Sequence, residues 1–572
     1  MPQSKLPSAD PTRKTVPPNQ LFDRIGFWFS RATGRLGLRQ SVLCPACGHM
    51  ITFALHYRRF RVCEYCGYHF PISVPARIDH LVDTHSFSDF AIVRKPRAEF
   101  HHVYPIRRPA PSREAVVTGT ARIADQLIVI VAFDFGFRGG TMSVAVGERI
   151  TRAFEHAARH SLPIVAMIAT GGVRIHEGMP ALLQMAKTTQ AVQEFQRAGR
   201  PFIAVLAHPT TGGVYASFAN LADILLAEPG ALVGFAGPRV IEATTGEKLP
   251  ADSHHSESAY VHGMIDAIVE RENLRQVIAR ILSITTPAES VPPSVPLVGE
   301  HEPALTLRSG WETVMLARRS DRPTALDYVQ NLFSDFTELH GDRLYGDDPA
   351  IVAGLARFET QPVVVIAQER GQGDEHHHGS AKPEGYRKAE RLIRLAERFH
   401  LPIITLIDTP GADPGYDSEQ RGIAGAIANC LSALVQAQMP TVSIIIGEGT
   451  SGGALALTVT DRVLMLENAT FSVISPEGAS AILFGDAAHA AETADRLENR
   501  AQDLLRRGII DRVVPEPTGG AHARPQVAIA NVKCELQASL AQLIGQGEAE
   551  RIAARRARYR RMGQETQSFS TN

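Results

Sequence analysis

The chain has no apolar stretch of 18 or more residues, so nothing in it is long enough to span a bilayer as a helix. Its opening, MPQSKLPSADPTRKTVPPNQ, lacks the apolar core of a secretory signal and is polar and Pro-rich, the composition of a loose terminus. A cytoplasmic location is the expectation. An excess of one charge is also lacking: 59 Lys and Arg stand against 60 Asp and Glu, and a net of -1 says little about partners. Cysteine is scarce, with six in 572 residues. Two signatures of common chemistry are missing as well: there is no G-x-x-x-x-G-K-[ST] phosphate loop and no H-E-x-x-H helix. An enzyme that runs on backbone amide donors alone leaves such a gap.

What is present begins with 44% hydrophobic and 21% charged residues, a globular composition. The length suits about three or four domain-sized units. Four of the six cysteines fall together as Cys44, Cys47, Cys63 and Cys66, spaced C-x2-C-x15-C-x2-C, while Cys430 and Cys534 stand alone. Two such knuckles bring four thiolates onto one tetrahedral Zn(II), with Gly48 and Gly67 just after each pair. Disulfides are the bland alternative, weak in a chain without a secretion signal. Four protein ligands leave no open position, so this zinc holds a ribbon together, and the nearby His49 and His69 are not needed. Charge is uneven along the chain. Residues 1–70 carry ten Lys or Arg against three Asp or Glu, and ERIAARRARYRRM near the end adds six Arg. These blocks read as solvated faces, with an acidic partner or nucleic acid at the basic ribbon as the functional alternative.

The chain also repeats itself. SLPIVAMIATGGVR matches HLPIITLIDTPGAD, with Pro163 over Pro402 and Gly172 over Gly411 at an offset of 239. Gly213 lies over Gly453 at 240, Asp223 over Asp461 and Pro238 over Pro476 at 238, and Arg122 over Arg357 at 235. An offset this steady over more than 100 positions marks two copies of one domain. Between them TTPAESVPPSVPLVGEHEP holds five prolines in 19 residues, an extended linker. Within each copy, continuously apolar runs such as LIVIVAFD and PIVAMIAT alternate with segments of helical period. Strands without polar alternation imply a sheet covered on both faces, an α/β fold of repeated β-β-α or β-α units.

Each copy carries a Gly-Gly pair where an apolar strand ends and a helix begins: Gly212 and Gly213 in HPTTGGVYASFA, Gly452 and Gly453 in GEGTSGGALAL. A helix start offers unpaired N–H groups and the positive end of the dipole, and glycine leaves room for close approach. One isolated pair would be a packing turn. Two pairs at matched places suggest paired oxyanion holes.

These residues resemble a known family, the carboxyltransferase component of acetyl-CoA carboxylase, of the bacterial type with separate beta and alpha subunits. The four-Cys ribbon with FGFRGGTMSVAVG, ATGGVRIHEGM, QMAKTT, HPTTGGVYASFA and GFAGPRVIEATTGEKLP is similar to the beta subunit over residues 40 to about 284. TALDYVQNLFSDFTELHGDRLYGDDPAIVAGLARF, KPEGYRKAERLIRLAERFHLPIITLIDTPGADPG, GEGTSGGALAL, SVISPEGASAIL and PEPTGGAH are similar to the alpha subunit. The resemblance implies a beta-alpha fusion of two tandem crotonase-like (ClpP-type) β-β-α superhelix domains behind the zinc ribbon. The division expected is an N-terminal extension, 1–39; the ribbon, 40–72; a beta-like domain, 73–284; a linker, 285–308; an alpha-like domain, 309–547; and an Arg-rich tail, 548–572.

The chemistry implied is transfer of a carboxyl group from carboxybiotin, held on a biotin carboxyl carrier protein, to acetyl-CoA, giving malonyl-CoA for fatty acid synthesis. An enolate forms at the thioester and an enolate-like oxygen at the ureido ring, so two oxyanions need two holes. By resemblance, Gly212 and Gly213 serve the thioester and Gly452 and Gly453 serve biotin. In the family's mechanism biotin is itself the base. Gly171, Gly172, Arg174 and Arg239 are implied on the CoA side, and Gly411 and Ala454 as further substrate contacts; the two arginines read equally as structural ion pairs. ATP belongs to the partner biotin carboxylase, and the half-sites of a homodimer are expected to meet across its interface.

The chain departs from the family pattern in three places. The usual Ser-Gly-Gly-Ala-Arg stands as Thr170, Gly171, Gly172, Val173 and Arg174. A Lys/Arg-rich stretch of the alpha subunit is replaced by ERGQGDEHHHGSAKPEG, residues 369–385, whose His376, His377 and His378 read as a solvated loop. The alpha subunit's leading helical segment is mostly absent, the second half starting near GWETVMLARRSDRP. Rival functions are a carboxyltransferase for propionyl-CoA or another acyl-CoA, and a zinc-ribbon nucleic-acid binder with a degenerate enzyme body.

Overall fold

The computed structural model describes residues 42–90, 114–286 apart from 247, 251 and 252, and 308–563; of residues 238–240 only the backbone is described. The expected N-terminal extension, most of the linker and the last residues of the tail lie outside the described residues. The chain divides into two compact units, Met1–Ile72 and Ser73–Asn572.

In the first unit each C-x2-C pair sits in a knuckle. The Gly48 amide bonds back to the Cys44 carbonyl at 2.8 Å and the Gly67 amide to the Cys63 carbonyl at 2.9 Å. Both glycines take left-handed φ, 74° and 72°. A six-residue helix, Leu55–Phe60, joins the knuckles, and Ile51 and Tyr57 are the main apolar filling besides the cysteines.

The second unit contains two eight-stranded sheets of matching design. The first comprises β1 (Ser88–Asp89), β2 (Val116–Ile123), β3 (Gln126–Phe133), β4 (Ile164–Thr170), β5 (Phe202–Thr211), β6 (Ile224–Ala227), β7 (Val233–Gly234) and β8 (Ala267–Ile268). The second comprises β9 (Phe333–Glu338), β10 (Ile351–Phe358), β11 (Gln361–Gln368), β12 (Ile403–Thr409), β13 (Thr441–Thr450), β14 (Arg462–Leu466), β15 (Thr470–Ser472) and β16 (Arg512–Val514). Strand orders are β1-β2-β3-β4-β5-β6-β8 with β7 on β5, and β16-β14-β13-β12-β11-β10-β9 with β15 on β13. In each, an antiparallel hairpin (β2–β3, β10–β11) feeds a run of parallel strands. Every residue of β4 and β12 is buried, as their unbroken apolar character requires.

Helices fill the crossovers: α1 (Val144–His160), α2 (Gln184–Gln196), α3 (Pro383–Phe399) and α4 (Ile423–Gln436). The Ser143 hydroxyl caps α1 by accepting from the Val146 amide at 3.1 Å. On α3 the buried stripe is Tyr386, Ala389, Leu392, Ile393, Ala396 and Phe399, the spacing of a one-faced helix. Both 17-residue helices stop at a left-handed residue, Ser161 and His400.

One hydrophobic cluster runs through both halves of this unit. The helix Leu274–Thr285, which closes the first half, lays Ile278 and Ile281 into it together with Leu355 and Val364 of the second-half hairpin. Buried Asp266 accepts from Arg343 and lies 2.9 Å from Arg391, and Asp223 pairs with Arg398, so second-half arginines are tied to first-half carboxylates. The basic C-terminal segment departs from the solvated face expected of it. It is a helix, α5 (Glu548–Arg561), whose Arg551 and Arg555 are buried. Arg555 binds Asp461 at 2.9 Å and donates to the Leu434 and Ala437 carbonyls, capping the end of α4. This part of the charge block therefore closes the fold.

Candidate functional site

The glycine turns stand at equivalent corners of the two sheets. β4 and β12 differ by 239 residues at both ends, and so do β5 and β13. This register corrects the sequence alignment by one residue. Gly212 (φ 72°) matches Ser451 (φ 61°), so Gly213 matches Gly452 rather than Gly453. Matching the two Gly-Gly pairs by identity hides the shift, because the second copy opens its helix with a serine in a conformation that favours glycine.

The amides are not equivalent either. The Gly212 N–H donates to the Phe235 carbonyl at 2.8 Å and is occupied, whereas the Gly213 N–H has no acceptor among the described residues. In the second copy Gly452 and Gly453 lie in the first turn of the short helix Ser451–Leu455, where backbone amides have no intrahelical acceptor. The flanking strand ends match: the Gly172 amide donates to the Thr170 hydroxyl and the Gly411 amide to the Thr409 hydroxyl, both at 3.0 Å. Gly172 (φ 102°) and Gly411 (φ 135°) both need glycine's freedom. Around the second turn space is open: a Cβ on Gly411 would meet nothing within 4 Å, and one on Gly452 only Ile427 at 4.0 Å. The first turn is tighter, a Cβ on Gly212 falling 2.8 Å from the Gly172 Cα and one on Gly213 2.6 Å from Val173.

Other candidates fall differently. Gly171 donates to the Gly139 carbonyl at 2.8 Å and shapes the strand-end turn. Arg174 is 2% exposed and bound to Glu114 at 3.0 Å, Glu177 at 3.3 Å and the Thr141 hydroxyl at 3.2 Å. Of the two roles expected of it, contact with a CoA phosphate is replaced by the structural ion pair, since no face of the guanidinium reaches solvent. The Arg239 side chain lies outside the described residues. Ala454 is buried behind the second turn, its carbonyl accepting from the Thr458 hydroxyl.

Sequence reasoning missed a charge network under the second turn, built around the buried carboxylates Asp408 and Glu448. Asp408, at the end of β12, accepts from the Glu448 amide at 2.9 Å, and Arg370 lies 3.4 Å from Glu448 and 3.7 Å from Asp408. Arg318 carries the chain of pairs on from Glu448 to Glu477. Burial pushes Asp408 up to about 6 against the pull of Arg370. No periodicity or motif marks these residues, because they come from separate segments.

The 369–385 segment is also more than a solvated loop. His376 Nδ1 lies 2.7 Å from the Pro349 carbonyl, and His377 helps to line a cavity of about 610 Å³ with Ser380, Lys382, Asp413 and Tyr416, next to the Gly411 turn.

In the ribbon unit the four thiols converge, all Sγ atoms within 4.8 Å of one another, with Cys44 to Cys66 at 3.6 Å and Cys47 to Cys63 at 3.7 Å. These distances exclude disulfides, which need roughly 2.05 Å. They match the ~3.8 Å edge of a tetrahedron with ~2.3 Å metal–sulfur bonds. The His49 amide aimed at Cys47 brings that thiol down to about 6, whereas burial raises Cys44. The site thus suits a soft, thiolate-binding divalent metal.

Two duplicated β-β-α units, each turning an amide-bearing glycine corner at the end of its parallel sheet, define a crotonase-like carboxyltransferase body. The model of the family described as acetyl co-enzyme A carboxylase carboxyltransferase-like matches residues 303–563. The acetyl-coenzyme A carboxylase carboxyl transferase subunits beta/alpha of Salinispora tropica is 44% identical over 542 residues, covering 91% of this chain and 96% of that protein. The protein of the same name from Saccharopolyspora erythraea is 40% identical, covering 92% and 95%. A probable biotin-dependent acyl-coenzyme A carboxylase beta3 subunit of Mycobacterium bovis is 39% identical, covering 79% and 89%. Among solved structures the transcarboxylase 12S with methylmalonyl-coenzyme A bound superposes with a TM-score of 0.69 at 22% identity, over 83% of this chain and 90% of that one, a likeness of fold. The chain belongs to the family of acetyl-CoA carboxylase carboxyl transferases in which beta and alpha subunits are joined. Among the described residues no helix is long and apolar enough to cross a membrane.

Proposed function

We propose that this chain transfers a carboxyl group between biotin on a carrier protein and acetyl-CoA, forming malonyl-CoA in one direction and releasing acetyl-CoA in the other. The observation that carries it is the pair of glycine corners in the same 239-residue register, each with an amide donor at a helix start. In this reading the Gly213 amide receives the thioester oxygen as it gains charge, and Gly212, Gly171 and Gly172 shape the approach. The Gly452 amide, with Gly453 behind it and Gly411 opening the floor, receives the ureido oxygen. Biotin, when bound, supplies the acceptor nitrogen and the base; this chain supplies position and preorganised donors. The four cysteines hold one structural Zn(II).

The two corners serve one reaction in a homodimer, first half facing the second half of a partner copy. The segments flanking both corners leave apolar side chains exposed, as a covering partner would explain: Ile175, Met179 and Leu183 before the first, Val473, Ile482 and Leu483 after the second. Biotin carboxylase, which consumes the ATP, and the carrier protein are the other partners.

The test is to incubate the purified chain with malonyl-CoA and biocytin and to measure acetyl-CoA. Biocytin-dependent formation is expected, and its absence sinks the proposal. The 39% identity to a chain named for acyl-CoA favours one second reading, a longer acyl substrate. Under it methylmalonyl-CoA would turn over faster than malonyl-CoA in the same assay.

A further inference from the structure

Two polar side chains meet beneath the second glycine turn. Gln368, the last residue of β11, is fully buried and donates from Nε2 to the Gly453 carbonyl at 2.9 Å. Tyr386 of α3, also fully buried, comes so close that a Cβ on Gly453 would fall 2.7 Å from its hydroxyl and 2.5 Å from the Ala412 amide nitrogen. Each leaves one atom unmatched: the Tyr386 hydroxyl and the Gln368 Oε1 have no hydrogen-bond partner among the described residues. Buried polar atoms without partners are rare, and a buried tyrosine hydroxyl ordinarily finds one.

The duplication provides a control within the chain. Helices α1 and α3 are both 17 residues long and start 239 apart, so Tyr386 stands where the first half has Gly147. Strands β3 and β11 are both eight residues long, so Gln368 stands where the first half has Phe133. The first half builds the same fold with glycine and phenylalanine at these positions, Gln184 of α2 filling the space over Gly147. Something particular to the second half keeps them.

We propose that Tyr386 and Gln368 are positioning residues of the second turn, and that the Tyr386 hydroxyl becomes hydrogen-bonded only when that turn is occupied. This rests on the second turn being the biotin-side oxyanion site. Gln368 fixes the Gly453 carbonyl from below, and the Tyr386 hydroxyl and the 411–412 backbone both close on the Gly453 Cα, so together they aim the Gly452 amide at its open face. Because the phenol is buried and kept neutral, it is a donor throughout the working pH range. At rest its proton contributes nothing to folding stability. When ligand draws the turn tight, the hydroxyl gains an acceptor, and the stabilisation appears in turnover.

The two roles separate in Tyr386→Phe. Removing an unmatched hydroxyl leaves the melting temperature unchanged or raised, whereas a hydroxyl used in turnover lowers kcat about ten-fold, with KM for malonyl-CoA unchanged. Gln368→Leu, which frees the Gly453 carbonyl, lowers kcat, and Gln368→Asn, one methylene too short to reach that carbonyl, recovers only part of the loss. A Tyr386→Phe protein with native kcat overturns the proposal, and so does a Tyr386→Phe protein whose loss of activity follows a lowered melting temperature. Wild-type protein without biocytin-dependent activity sinks instead the reading of the second turn on which it rests. A rise in KM for malonyl-CoA with native kcat places the residue at the thioester and also overturns it.

Discussion

Gly452→Pro lowers biocytin-dependent acetyl-CoA formation by about 10²- to 10³-fold, the effect of deleting one oxyanion-hole donor. The substitution takes away the amide and little else. Residue 452 is in the first turn of Ser451–Leu455, where proline is tolerated because the N–H has no intrahelical partner. Its outward side faces open space, so the ring meets little, Ile427 being the nearest group at 4.0 Å from a Cβ there. Circular dichroism and the melting temperature should match the wild type. Near-native turnover would show that this amide receives no developing charge. The corresponding donor in the first half is Gly213, because the Gly212 amide is already bonded to the Phe235 carbonyl.

Cys63→Ser empties the ribbon of metal and unfolds it. Cys63 is among the most buried of the four ligands, and besides them residues 42–72 bury only Ile51, Tyr57 and Val62 as apolar side chains. So small a core does not offset the entropy of ordering about 30 residues, and metal binding is the folding free energy of such a unit. Metal analysis of the wild type is expected to give one zinc per chain and the variant close to none, with protease cutting confined to residues 42–72. The unit from Ser73 onward should melt as before, since it is a separate compact body. A variant that keeps a full equivalent of zinc would contradict a four-thiolate centre.

The duplication was legible because burial on both faces writes similar apolar runs twice: Ile164–Thr170 and Ile403–Thr409 are wholly buried strands of like pattern, IVAMIAT and IITLIDT. The convergence of the four thiols was legible from spacing alone, since four cysteines within one ribbon have few other uses. The one-residue register error at the second turn came from matching glycine to glycine. Backbone conformation is what repeats there, and Ser451 supplies with φ 61° what Gly212 supplies with φ 72°. Arg174 and Arg555 illustrate another limit. An arginine beside a glycine turn or in a basic run looks exposed until its carboxylates are placed, and Glu114 and Asp461 lie 60 and 94 residues away along the chain. Tyr386 and Gln368 carried no signal of their own, being part of one apolar helix face and one apolar strand. Only the comparison of equivalent positions in the two copies brings them out.

The most direct test of two turns from two chains acting on one carboxyl group is complementation between Gly213→Pro and Gly452→Pro. Each variant alone should be close to inactive. Co-expressed and purified as mixed dimers, half the dimers pair unlike chains, and each of those keeps one site with both donors, so about a quarter of wild-type activity returns. A mixture no more active than the separate variants would contradict a shared site between chains.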